Sequence, residues 1–152
     1  ALLPEDYVPD VHMRLVLYKR IASAPTPEAL QLLQEEVVDR FGVLPEPGKL
    51  LFQAAALKIR AAPLGVRKID AGTKGARIEF VENPPIDATA VLRLLQSAPR
   101  RYRLDGPNRL RLVHELPDAA SRIKVLTETL TALAAPAPAA QQRRDASGVK
   151  RR

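Results

Sequence analysis

The stretch VRKIDAGTKGARIEFVE, from Val66 to Glu82, is where the apolar period of the chain changes from helical to alternating. Before it, apolar residues recur at three- and four-residue steps. Within it they alternate with polar ones, which is the period of a strand with one buried face. The glycines at 72 and 75 mark a reversal, so two strands are expected around a four-residue loop, Gly72 to Gly75. That loop sets a register. Ile69 falls opposite Ile78 on one face; on the other, Lys68 opposes Glu79 and Asp70 opposes Arg77, both favourable cross-strand pairs.

Working outward, RRYRLDGPNRLRLVHE, Arg100 to Glu115, repeats the pattern around a DGPN turn. Tyr102, Leu104, Leu110 and Leu112 share even parity, while Arg101, Arg103, Arg109 and Arg111 share odd parity. An even loop would scramble the two faces, so the connection must hold three or five residues. Between the hairpins a helix is expected from Asp87 to Ser97, with Val91, Leu94 and Leu95 inward. A last helix, Pro117 to Leu133, places Ile123, Leu126, Leu130 and Leu133 on one stripe.

Upstream, a first helix runs from near Pro9 to Ser23 with Val11, Leu15, Tyr18 and Ala22 on one face. SAPTP breaks it. Thr26 is a good N-cap and Pro27 a good first helical residue, because the capping oxygen serves an orphan N–H and proline has none to lose. The second helix buries Leu30, Leu33, Val37 and Phe41, and Gly42 closes it with Val43 folding back on the last turn. A third helix, Pro47 to Ala62, is apolar on more than one side through Leu50, Leu51, Ala54, Ala55, Leu57 and Ile59, and belongs at the centre of the core. The expected class is α+β: one domain over residues 1–134, about five helices packed with two β-hairpins in a small antiparallel or mixed sheet. Periodicity does not decide whether the hairpins share one sheet.

The chain has 152 residues, 46% of them apolar, which suits one compact core. It has no cysteine, hence no disulfide or thiolate metal site, which fits a reducing cytoplasmic setting. His12 and His114 stand alone and read as surface or boundary histidines, so no metal or other cofactor is expected. No apolar run approaches the roughly 18 residues needed to span a bilayer, and no signal peptide is evident. The chain starts at Ala1 without methionine and reads as a piece of something longer. Of the net charge of +7, residues 135–152 supply five cations against Asp145, leaving residues 1–134 nearly balanced. That tail has no apolar periodicity and is expected to be disordered.

Catalytic signatures are missing. GTKGAR lacks the G-x-x-x-x-G-K-[ST] spacing and sits in a hairpin with no helix N-terminus after it. No G-x-S-x-G elbow occurs, and neither histidine accompanies a nucleophile and a carboxylate. Two surfaces remain. Arg101, Arg103, Arg109 and Arg111 form a cationic sheet face able to track phosphates in a nucleic-acid-binding module, although Asp105 interrupts it and Tyr102 faces the core, leaving no aromatic for base stacking. Glu36, Asp39 and Arg40 share one narrow face at the end of the second helix. Glu36 and Arg40 have the spacing of a helical ion pair, but an acid at Asp39 opposes the helix macrodipole, so stability alone does not recommend it.

Five segments in order, ALLPEDYVPD, YKRIA, VVDRFGVLP, LGVRKID and YRLDGPNRL, resemble the C-terminal domain of bacterial transcription-repair coupling factors over about residues 1–133. The resemblance implies a parent that is an ATP-driven DNA translocase, which displaces stalled RNA polymerase and recruits nucleotide excision repair. None of its motor motifs lies in this chain. It implies that this domain is non-catalytic and packs against an N-terminal module similar to the excinuclease B protein, hiding the surface that binds the excinuclease A protein. The family contacts are formed by the helix ending in DRFG and fall here on Glu36, Asp39 and Arg40. RNA polymerase, DNA and excinuclease A are then reached through the parent, and no membrane partner is implied.

Overall fold

A computed structural model describes residues 2–135. The disordered tail expected at 135–152 lies outside the described residues apart from Ala135. Five α-helices and four strands follow in chain order: α1 Val11–Ser23, α2 Pro27–Phe41, α3 Glu46–Ala61, β1 Val66–Gly72, β2 Gly75–Phe80, α4 Ala88–Ser97, β3 Tyr102–Leu104, β4 Arg109–Val113 and α5 Ala119–Ala134. A 3-10 turn, Ala62–Leu64, extends α3 toward β1.

The two hairpins join into one antiparallel sheet of order β1-β2-β4-β3, with β2 and β4 central. The first hairpin has the expected register: Lys68 faces Glu79, Ile69 faces Ile78 and Asp70 faces Arg77. Pairing continues to Gly72 and Gly75, so the turn proper is Thr73 and Lys74 alone. Gly75 cannot be replaced without strain. Its φ is +152°, and a Cβ there would lie 2.1 Å from the Leu112 carbonyl oxygen on β4. A bulge between Val66 and Lys68 inserts Arg67, which lets Val66 and Ile69 both face inward although three apart. In the second hairpin Tyr102 faces Leu112 and Leu104 faces Leu110, and the Asp105 amide donates to the Arg109 carbonyl at 2.9 Å. The connection is therefore odd, as parity requires.

The charge pairs differ from those expected. Glu79 pairs with the bulge residue Arg67 at 4.0 Å, Lys68 with Asp70 of its own strand at 3.6 Å, and Arg77 with Asp105 of the neighbouring turn at 3.7 Å. Long flexible cations on an open face reach whichever carboxylate is nearest, so register alone does not choose their partners.

One face of the sheet is covered. Ala76, Ile78, Phe80, Tyr102, Leu110 and Leu112 pack with Leu57 and Ala61 of α3, Leu94 of α4, and Val125, Leu126, Leu130 and Leu133 of α5. Within this core the Tyr102 hydroxyl lies 3.0 Å from the Thr129 hydroxyl, which in turn donates to the Val125 carbonyl, so both buried hydroxyls are satisfied. A second core joins α1, α2, the first half of α3 and the N-terminal segment through Leu3, Val8, Leu17, Ile21, Leu30, Leu33, Val37, Leu44 and Phe52. Helix α3 enters both.

Three expectations about inward residues fail. On α1 the buried residues are Leu17 and Ile21, while Val11 and Leu15 are exposed, Leu15 by 56%. The helix carries two overlapping apolar stripes. The N-terminal segment chooses between them by folding back through a turn at Pro4, where the Leu3 amide donates to the Tyr18 hydroxyl at 2.8 Å. Val43 is 84% exposed, and Leu44 is buried in its place. Gly42, at φ +94° and ψ −171°, sends the chain out extended instead of curling it back. Leu104 has inward parity but is 59% exposed, because β3 is a short edge strand that no helix fully covers.

Candidate functional site

Helix α2 presents the candidate face because its other side is anchored. The Thr26 hydroxyl accepts from the Ala29 amide at 3.1 Å, Leu30, Leu33 and Val37 are buried, and Gly42 stops the helix. Glu36, Asp39 and Arg40 are thereby left exposed along one strip. Leu32, one turn before Glu36, joins them at 67% exposure. The helix end is braced from outside: the Tyr7 hydroxyl donates to the Gly42 carbonyl at 2.7 Å, and its ring packs at 5.9 Å against Phe41.

The three charges are not equivalent. Glu36 does not pair with Arg40. Arg20, in the last turn of α1, donates to both Glu36 oxygens, from Nη1 to Oε2 and from Nη2 to Oε1 at 3.2 Å. A planar guanidinium aimed from a neighbouring helix satisfies a carboxylate bidentately, which a cation on the same helix four residues away does not match. The Arg20 hydrogen bond holds the Glu36 carboxyl below the usual glutamate range, with slight desolvation opposing it and the charges of Arg20 and Arg40 adding to it. The Arg40 guanidinium lies 5.2 Å over the Phe41 ring and 4.0 Å from the Met13 sulfur. Asp39 makes no ion pair or side-chain hydrogen bond among the described residues. The strip thus holds one engaged acid, one free acid and one cation resting on an aromatic ring.

Sequence patterning does not single out Arg20 or Tyr7. Both lie in segments that carry the family resemblance, YKRIA and ALLPEDYVPD, but no periodicity joins Arg20 to Glu36 or Tyr7 to Gly42.

The arginine face is assembled as parity predicts. Arg103, Arg109 and Arg111 are exposed on the open side of the sheet, Arg101 is exposed in the turn just before β3, and Arg103 stands directly opposite Arg111. Strand β2 adds Arg77, which faces Arg111 from the other side, making a lateral file of three arginines. Glu79, facing Arg109, and Asp105 break the positive run, and the aromatic Tyr102 is buried. No cluster of three metal-ligating side chains occurs among the described residues, and no described helix is long and apolar enough to cross a membrane.

A four-stranded antiparallel sheet backed by helices on one face, with an α-helical hairpin docked through α3, defines an α+β module whose charged strips lie on the surface. The family model described as the TRCF domain matches residues 1–91, and the chain belongs to that family. It is 44% identical over 124 residues to the transcription-repair-coupling factor of Escherichia coli (strain K12), a match covering 82% of this chain and 11% of that protein. To the transcription-repair-coupling factor of Haemophilus influenzae it is 42% identical over 135 residues, covering 89% of this chain and 12% of the relative. To that of Myxococcus xanthus it is 35% identical over 128 residues, covering 84% and 10%. The chain therefore spans about a tenth of the length of these curated relatives. Its fold is similar to a crystal structure of the C-terminal domain of transcription-repair coupling factor, with a TM-score of 0.68 and 20% identity over 88% of each chain.

Proposed function

We propose that this chain is the non-catalytic, autoinhibitory domain of an ATP-dependent DNA translocase that couples transcription to nucleotide excision repair. On this reading the domain, residues 1–134 with 135–152 as a basic tail, works in the cytoplasm by clamping an excinuclease-B-like module at the N-terminus of the same protein. The clamp masks the surface that binds excinuclease A. RNA polymerase and DNA are met by the rest of the parent.

The observation that carries the reading is Asp39. It is an exposed acid in the last turn of α2, where the helix macrodipole disfavours it, and it has no partner among the described residues. Such a residue costs the isolated domain a little and gains in a complex with a basic surface. Glu36 and Arg40 flank it, and the exposed Leu32 supplies apolar area beside the charges. Arg20 orients Glu36, so a partner meets a carboxylate already fixed in direction.

Because Glu36 also ties α1 to α2, reversing it mixes interface loss with damage to the helical hairpin. Asp39→Lys is the cleaner test. In the full-length protein it should place like charges across the clamp and raise binding of excinuclease A in the absence of ATP by about tenfold or more, since like-charge juxtaposition at an interface costs several kcal/mol. Circular dichroism should show an unchanged fold. Equal binding by wild type and Asp39→Lys would return this strip to an ordinary solvated helix end.

A further inference from the structure

The open face of the sheet carries a charge imbalance that its own residues do not resolve. Of the carboxylates there, Glu79 is held by Arg67, Asp70 by Lys68 and Asp105 by Arg77. Every acid is thus taken. Arg101, Arg103, Arg109 and Arg111 make no ion pair or side-chain hydrogen bond among the described residues; Arg103, Arg109 and Arg111 belong to hairpin β3–β4, and Arg101 immediately precedes it. Arg103 and Arg77 both face Arg111 in register. Like charges directly opposed across strands work against the fold, so the file is not explained by stability.

A second feature lies on the helix-covered side of the same hairpin, round the edge strand β3 from the arginines. Between α4 and the β3–β4 turn lies a groove of about 600 Å³ lined by Ile86, Val91, Leu92, Leu95, Leu104 and, at its rim, Arg109. Leu92 and Leu104 are 55% and 59% exposed. Aliphatic walls of this kind suit an aliphatic side chain. A single strand of nucleic acid would instead need an exposed aromatic platform, and the hairpin's one aromatic, Tyr102, is buried.

We propose that hairpin β3–β4 docks an acidic segment of a partner protein that crosses the edge strand β3, its carboxylates pairing with Arg103, Arg109 and Arg111 on the open face while an aliphatic side chain reaches round that edge into the groove beside Leu92 and Leu104. Charge complementarity specifies the acidic character, and the aliphatic groove specifies a protein. This surface is separate from the α2 strip and does not rest on its assignment.

The test is fluorescence anisotropy with two labelled probes, a short peptide of glutamates with a central leucine and a short DNA duplex, at ionic strength of about 0.15 M. The peptide should bind the wild-type chain more tightly than the duplex does. Arg103→Glu should weaken peptide binding by about tenfold while leaving the melting temperature the same or higher, because it turns a repelling pair with Arg111 into an attracting one. Leu92→Asp should weaken it several-fold, and Asp39→Lys should leave it unchanged. The proposal is overturned if the peptide does not bind, if Arg103→Glu binds it as well as wild type, or if the duplex is the tighter ligand.

Discussion

Ile78 lies on central strand β2 and is wholly buried, whereas Leu104 ends edge strand β3 and is 59% exposed, although parity points both toward the same side of the sheet. The difference should appear directly in stability. Ile78→Ala leaves a cavity in the core beneath the sheet and should cost about 2–5 kcal/mol, while Leu104→Ala should cost no more than about 0.5 kcal/mol. Urea denaturation of the two variants checks this, and equal losses would contradict the placement of β3 at the edge. The same distinction governs charged residues. Glu36 and Asp39 read alike as acids on one helical strip, yet Arg20 reaches only the first. Parity and periodicity assign a face to each residue; what stands across from that face is set by another element.

At the scale of elements, α2 shows how local signals and tertiary contacts divide the labour. Its start is local: Thr26 caps the Ala29 amide, and Pro27 occupies the first helical position. Thr26→Ala should therefore cost about 1 kcal/mol, read as a lower urea midpoint with an unchanged slope, and should leave the described fold intact. A neutral result would mean that packing alone sets the helix start. The helix stop is less local, because the Gly42 carbonyl is held by Tyr7 from the N-terminal segment. Helix α1 lies at the other extreme. Its two apolar stripes satisfy the helical period equally well, and Leu3, Val8 and the Tyr18 hydroxyl select the one containing Leu17 and Ile21. In the first hairpin, register is legible because loop length and alternation agree, and in the second parity fixes an odd connection, whereas the bulge at Arg67 is not legible, since an inserted residue leaves no mark in composition.

Across the whole molecule, α3 couples two cores, with Phe52 in the helical one and Leu57 and Ala61 in the one beneath the sheet. Sharing one helix makes it costly to open either core alone. Native-state hydrogen exchange should then show the amides of α2 and of β2 exchanging through a common opening, and Phe52→Ala should speed exchange in β2 as well as in α2. Retained protection in β2 alongside lost protection in α2 would reveal two independent units. The same arrangement displays the two charged surfaces separately, the α2 strip on the helical core and the arginine hairpin on the sheet.

Read by itself, the sequence determined the five helices, the two hairpins with the register of the first and the odd connection of the second, the parity that sends four arginines outward, and the helical strip of Glu36, Asp39 and Arg40. All of these follow from periods of 3.6 and 2, caps and turn residues, which act within a few positions along the chain. Only the tertiary structure decided that β2 pairs with β4 to merge the hairpins, that α1 buries Leu17 instead of Leu15, that Leu104 stays at an open edge, and that Arg20 takes Glu36 from Arg40. Each of those outcomes depends on a contact between residues distant in sequence, where several partners satisfy the same local pattern and burial and geometry choose among them.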